Sequence, residues 1–383
     1  VGTLAEGLTL HHPGFSEKGK WIIARHIPSG EIASAMAFIP WDLSLAGSPV
    51  LAAEQGIVGT GEKFRGQGLM RMLNSQFNLL LEENRCIFAI IQGIPNFYHK
   101  FGYYYGLELE NHINLALHTI GETKDENTVI REAQVTDIPY FLQEDEKRKG
   151  KYLFSAQRTA GAWEYMFSQG MNTETAGNVY VFQEPRTSRQ YYVKTMNEGF
   201  GEGLIISEMS ENIPVSITKT LLAFLRQKAI EKNKPYLRFN LSTLSENAKV
   251  LKSLGAKTED FYGWQVKIPE LARFIENMKP VLQRRYVDSA FSGQDISLCL
   301  NTGKETPVLS FTDSTLSILT KKEIKPAHEI ILPQDLAPPL LCGYRTRKEL
   351  FQNRPDLMAF SKEAKLLCDV LFPKTNSWLY LQY

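Results

Sequence analysis

Residues 56–106 constrain this chain more than any other stretch. A short strand signal (56–61) runs into a basic turn, Arg65-Gly66-Gln67-Gly68, and then directly into an apolar repeat at Leu69, Met72, Leu73, Phe77, Leu80 and Leu81. That spacing predicts an amphipathic helix. A glycine turn at a helix N-terminus offers N–H groups that have no partner inside the helix, together with the positive end of the helix dipole. Both suit an anion such as phosphate. Glycine also lets a ligand come close to the backbone. A dinucleotide fold or an ordinary tight turn can begin the same way, but this turn is neither G-x-G-x-x-G nor a lysine-ending P-loop. A second apolar strand follows at 86–92 and leads into Phe97-Tyr98-His99-Lys100-Phe101-Gly102-Tyr103.

On these residues the chain resembles the GCN5-related N-acetyltransferase (GNAT) family. There an (Arg/Gln)-x-x-Gly-x-(Gly/Ala) pattern holds the pyrophosphate of acetyl-coenzyme A, and a later Tyr-x-x-x-Gly-(Phe/Tyr) supplies a catalytic tyrosine. Arg65, Gly68 and Met70 occupy the first pattern, with Met70 standing where the family has a small residue. Tyr98, Gly102 and Tyr103 occupy the second. The resemblance implies that Val58, Gly59 and Thr60 bind the pantetheine arm through strand backbone. It implies a pyrophosphate cradle of Arg65, Gly66, Gln67, Gly68, Leu69, Met70 and Arg71. Gly93 and Ile94 would flank the thioester, and Tyr98 would be the general acid.

A chain of 383 residues has room for two or three domains. A net charge of +1 gives no basic face for nucleic acid or an acidic membrane, so ligand electrostatics must be local. The four cysteines are widely spaced without a C-x-x-C pair, and read as reduced core thiols of a cytoplasmic protein. The seven histidines form no H-x-x-x-H or H-E-x-x-H pattern, so no metal site is expected. No apolar run reaches membrane-spanning length.

Along the chain, residues 1–10 read as a terminal strand, and 21–26 with 31–39 as a hairpin around Pro28-Ser29-Gly30. A further strand is expected at 43–51, and another at 107–117. The family usually places a strand and one or two helices before this hairpin, so the short leader reads either as a permuted or shortened fold or, the reading favoured, as residues missing ahead of it. Residues 121–128 read as a linker, after which the order of strands and helices repeats. The charged run 144–151 reads as a solvated helix end. Where a second cradle would fall, Met209-Ser210-Glu211-Asn212-Ile213-Pro214-Val215 has neither glycine nor arginine, and Glu211 would repel phosphate. A helix over 269–285, kinked or interrupted at Pro280, opens a small α+β layer, and the final residues 372–383 are dense in aromatics, which predicts a docked tail.

The expected fold is therefore α/β (α+β): a GNAT domain over 1–122, a degenerate GNAT-like domain over 123–262, and a small α+β domain over 263–383. This arrangement resembles the enhanced intracellular survival branch of the family, whose third domain is similar to sterol carrier proteins. That resemblance implies a homo-oligomer, commonly hexameric, and a catalytic base formed by the chain-end carboxylate, here Tyr383. It also implies a small-molecule amine as acceptor, aminoglycoside- or polyamine-like, or a lysine, with acetyl-coenzyme A as co-substrate. A phenol of pKa about 10 and a carboxyl of pKa about 3.5 both need help from their surroundings to serve as acid and base here. His99 is an alternative proton carrier beside Tyr98. A Fem-type aminoacyl transferase would need a basic face for transfer RNA, which the near-neutral charge does not favour. A non-catalytic coenzyme or lipid binder is the remaining alternative.

Overall fold

The computed structural model describes residues 2–121, 128–184, 187, 189–199 and 201–383. Helices α1 (Gly2–His11) and α2 (Pro13–Lys18) precede β1 (Lys20–Arg25), β2 (Ile32–Leu45), β3 (Ser48–Thr60), α3 (Leu69–Glu83), β4 (Ala89–Ile91) and β5 (Tyr104–Ala116). The middle of the chain supplies β6 (Val129–Glu132), α4 (Ile138–Lys149), β7 (Phe154–Ala156), α5 (Ala160–Phe167), β8 (Gly177–Glu184), β9 (Arg189–Met196) and β10 (Leu204–Met209). It continues with α6 (Val215–Glu231), β11 (Tyr236–Asn240), α7 (Glu246–Ser253) and β12 (Lys257–Lys267). The last part comprises α8 (Leu271–Val287), β13 (Ile296–Asn301), β14 (Pro307–Thr312), β15 (Thr315–Thr320), β16 (His328–Ile331), α9 (Ala337–Leu341), α10 (Arg347–Asn353), β17 (Met358–Ala359) and α11 (Lys362–Leu371). The linker expected at 121–128 lies almost wholly outside the described residues. No described helix is long and apolar enough to cross a membrane.

Period-two alternation explains how β2 is covered on both faces. Met36 and Phe38 join one core with Leu73, Phe77 and Leu81 of α3, while Ala37, Ile39, Trp41 and Leu43 join the larger core on the other side. The four-residue spacing of Leu73, Phe77 and Leu81 keeps one stripe of α3 on the sheet, where the Phe38 and Phe77 rings lie 5.4 Å apart. The strands form one twelve-stranded mixed sheet, in the order β1-β2-β3-β4-β12-β5-β11-β10-β9-β8-β6 with β7 added to β2, and a second sheet in the order β15-β14-β13-β16-β17. Strand β12 lies between β4 and β5, antiparallel to both, and β5 pairs in turn with β11. Strand β12, from late in the chain, and β5, from its first third, are thus paired along their length.

Three expectations are corrected. The terminal strand is helix α1, because Leu4 and Leu8, four residues apart, both pack on the main core, which is helical spacing. The strand expected at 43–51 is a tight hairpin: Ala46 and Gly47 both take positive φ, 47° and 98°, and turn β2 directly into β3. The charged run 144–151 is not simply a solvated helix end, since Glu144, Asp145 and Arg148 are buried. Helix α8 also runs on through Pro280.

The buried charges form a closed network. Arg148 Nη1 donates to Asp145 at 2.8 Å and to Glu208 at 3.1 Å, while Arg158 donates to the same two carboxylates at 2.5 and 2.6 Å. The Tyr192 hydroxyl also donates to Glu208. The arginines hold Glu208 well below the usual carboxylate range, at about 2 despite its burial. The tail docks on this network: the Tyr380 ring lies 4.4 Å from the Arg148 guanidinium carbon. Backbone pairing holds the tail alongside β7 through Leu153 N–H to Asn376 O and Trp378 N–H to Phe154 O. Removing one member of such a network leaves enclosed carboxylates undercompensated. Arg158→Met should therefore destabilise the fold by about 3–5 kcal/mol in urea titration, whereas Lys147→Ala at the exposed end of α4 should cost under about 1 kcal/mol. Equal midpoints for the two variants would overturn the assignment.

Candidate active site

The geometry begins with a bulge. Along β2 and β3 the register passes from Ala37↔Gly56 to Ala35↔Gly59, with Ile57 at φ 50° absorbing the extra residue. On its other edge β3 pairs with β4 only at Ala53↔Ala89 and Glu54↔Ile90. Beyond that pair the two strands splay, so backbone from residue 56 onward faces a gap instead of a neighbouring strand. Val58, Gly59 and Thr60 stand on this splayed edge, partly exposed to exposed. Gly59 and Thr60 stay fastened to β2 on the opposite side, where Ser34 Oγ donates to Gly59 O at 2.9 Å.

The turn into α3 follows. Gly66 and Gly68 both sit at φ 77°, and a Cβ built on either would meet no atom within 4 Å. Gly68 is the residue that caps α3. Arg65, Gln67 and Arg71 are exposed around the turn, Leu69 and Met70 are half-buried, and Met70 packs back on the α3 core. Open glycines in the left-handed region, unpartnered helix N–H groups and two exposed arginines make a cradle that fits the pyrophosphate of acetyl-coenzyme A. The larger Met70 side chain turns into the core, so it leaves the backbone approach clear.

Tyr98 begins a short 3-10 turn, Tyr98–Phe101, and is buried, with rings of Phe97, Phe101 and Tyr103 around it. Gly93 is required there, since a Cβ on it would lie 2.3 Å from Tyr98 Cδ2. Gly93 O accepts from Gln265 Nε2 at 2.6 Å and from the Tyr262 hydroxyl, both on β12. The strand lent by the second stretch therefore pins the loop under Tyr98. Burial pushes the Tyr98 phenol up, which keeps it protonated. Ile94, 64% exposed, marks the open side.

Tyr98, Ile94 and Val58 all line a cavity of about 670 Å³, whose other walls come from β5, β9 and β10 and from the tail residues 378–381 and Tyr383. Glu54 also faces it, and this residue was missed by sequence reasoning. Its Oε2 accepts from the Tyr383 hydroxyl at 2.7 Å and from Trp41 Nε1 at 3.2 Å. Full burial, opposed only in part by those two donors, raises the Glu54 carboxyl to about 7. The available signal was a carboxylate beside an amide inside the apolar run Leu51-Ala52-Ala53-Glu54-Gln55. Tyr383 does reach the site, through its side chain on Glu54, from the far end of the sequence. His99 and Arg65 are not among the cavity lining.

No second cradle forms at residues 209–215. Glu211 accepts from Lys151 and from the Tyr152 hydroxyl, Ile213 N–H is taken by Asn247 Oδ1 at 3.2 Å, and Asn247 Nδ2 is held by Ser210 O. The Ile213 donor is thus already used, and the stretch carries the Glu211 carboxylate in place of a glycine or arginine.

Comparison with known proteins agrees with this geometry. Residues 10–106 match the acetyltransferase (GNAT) domain model. No curated protein matches the sequence. Among solved structures, one from Enterococcus faecalis V583, described as a conserved protein of unknown function with N-acyltransferase as its candidate activity, is similar at TM-score 0.73 and 12% identity, covering 96% of this chain and 90% of that one. A GCN5-related N-acetyltransferase from Anabaena variabilis is similar at TM-score 0.68 and 15% identity over 94% and 89% of the two chains. Eis1 from Mycobacterium abscessus is similar at 0.62 and 11% over 95% and 90%. At such identities the likeness is one of fold. Residues 10–106 match the GNAT acetyltransferase domain model, and that match, the splayed strands and the glycine turn together support an acyltransferase.

Proposed function

We propose that the protein transfers the acetyl group of acetyl-coenzyme A to a primary amine of a small molecule held in the 670 Å³ cavity. The observation that supports this most is the opposition of two buried groups on one cavity, a phenol kept protonated and a carboxyl poised near neutrality. The turn 65–71 holds the coenzyme's pyrophosphate, and the splayed edge at Val58, Gly59 and Thr60 takes the pantetheine arm, with Gly93 and Ile94 beside the thioester. Tyr98 gives its proton to the departing thiolate. Glu54, when ionised, takes the proton that the attacking amine loses.

Tyr383 serves this arrangement by holding Glu54 through its hydroxyl. The resemblance instead assigns the base to the chain-end carboxylate, and burial of Tyr383 in the cavity wall favours keeping that second reading. The two separate cleanly. If Glu54 is the base, Glu54→Gln lowers kcat while a glycine added after Tyr383 leaves it largely unchanged; the opposite pattern identifies the chain end.

Free-thiol release from acetyl-coenzyme A in the presence of an amine panel tests the reaction itself. Absence of turnover by the wild type with tight coenzyme binding would refute acetyl transfer. Tyr98→Phe should lower kcat by about 10²-fold or more with the coenzyme Kd unchanged, and full activity in that variant would exclude Tyr98 as the acid.

Glu54 also predicts a stability profile. Its folded-state pKa lies above the ordinary value of 4.5, so between about 4.5 and 7 the folded state holds a proton that the unfolded state has lost. Stability from this group is thus present below 4.5 and falls as pH rises through 7. The loss is on the order of 3 kcal/mol. Glu54→Gln should remove that slope, so that melting temperatures of variant and wild type diverge in the variant's favour between pH 5 and 8. Parallel profiles would show that Glu54 titrates normally.

A further inference from the structure

Lys194 stands out among the cavity's charged residues because, among the described residues, no carboxylate bonds its ammonium. It lies on β9, is only 8% exposed, and lines the same cavity as Tyr98 and Glu54. Its ammonium has three donors, yet the only hydrogen bond it makes among the described residues is to the Met166 sulfur at 3.4 Å. A thioether is a weak acceptor. The natural partner would be Glu208, directly across the sheet from Lys194 in the β9–β10 register. But both Glu208 oxygens are already occupied by Arg148, Arg158 and Tyr192. Burial without a partner lowers the Lys194 ammonium to about 8, with the nearby Glu208 opposing that shift.

A buried, cavity-facing cation without an acceptor points to an oxygen group supplied by a ligand. Lys194, Glu54 and Tyr98 all line one cavity of about 670 Å³, so a single elongated molecule in it can meet both ends. A single ammonium with Glu208 close behind it suits a monoanion better than a phosphate dianion, which the neighbouring carboxylate would repel.

We propose that Lys194 is a carboxylate-binding subsite of the acceptor cavity, so that the acceptor is an amine that also carries a carboxylate. This rests on the acetyl-transfer reading for its amine end but not for its anion end. The amine points towards Glu54 and Tyr98, while the carboxylate displaces solvent from Lys194 and accepts its N–H groups.

The test pairs kinetics with binding. ω-Amino acids of four to eight carbons are compared with alkylamines of equal length in thiol release, for wild type, Lys194→Met and Lys194→Gln, and hexanoate binding is measured by calorimetry without acetyl-coenzyme A. The wild type should favour amino acids through KM by about 10- to 100-fold, the range for a hydrogen bond to a charged group. Lys194→Met should lose that preference with alkylamine kinetics and coenzyme Kd unchanged, and Lys194→Gln should fall between. Equal KM values for the two series, an effect of Lys194→Met on coenzyme Kd, or hexanoate binding that is the same in wild type and variant would each overturn the subsite. Hexanoate binding abolished by Lys194→Met supports it even if no amine is acetylated, a result that would count against the transferase reading alone.

Discussion

The position of β12 is the constraint on which the site depends. By lying between β4 and β5 it prevents those strands from closing on one another. On its other edge β4 pairs with β3 at only two positions, after which the two strands part. The same strand carries Tyr262 and Gln265, whose bonds to Gly93 O fix the loop that supports Tyr98. Without β12 the loop at Gly93 would lose these two bonds and Tyr98 its footing. The two repeated stretches are thus halves of one sheet, joined by exchanged hydrogen bonds along β5, which give register and rigidity across the junction.

A second constraint is electrostatic. Two enclosed arginines balance Asp145 and Glu208, and they do so at the wall of a cavity where unpaired charge would be costly. Fixing Glu208 in that network ties up its carboxylate, while Glu54 and Lys194 on the same cavity are both shifted in pKa. Their perturbation has one cause, burial, acting in opposite directions on an acid and a base.

Sequence alone made the local parts legible. The hairpin at β1–β2, the helix after the glycine turn and the poverty of donors at residues 209–215 all follow from short-range pattern. The density of aromatics after Phe372 foretold a docked tail, and Trp378, Tyr380 and Tyr383 are indeed buried. What stayed hidden depended on partners remote in sequence. Charge along 144–151 looked solvated because Arg158 and Glu208, which enclose it, arrive from other elements. Glu54 looked like one polar residue in a strand, since the Tyr383 hydroxyl that marks it comes from the opposite end of the chain. The insertion of β12 had no local signature at all.

The docked tail also sets a timetable. The glycine turn and Tyr98 are synthesised early and Tyr383 last of the residues on the cavity, so a nascent chain can form the turn into α3 long before the cavity has all its walls. During that interval Glu54 lacks the hydroxyl that steadies it, and the Arg148 and Arg158 pair lacks its aromatic cover. A chain cut before Trp378 would keep the glycine turn but lack the wall that Trp378, Tyr380 and Tyr383 give the cavity.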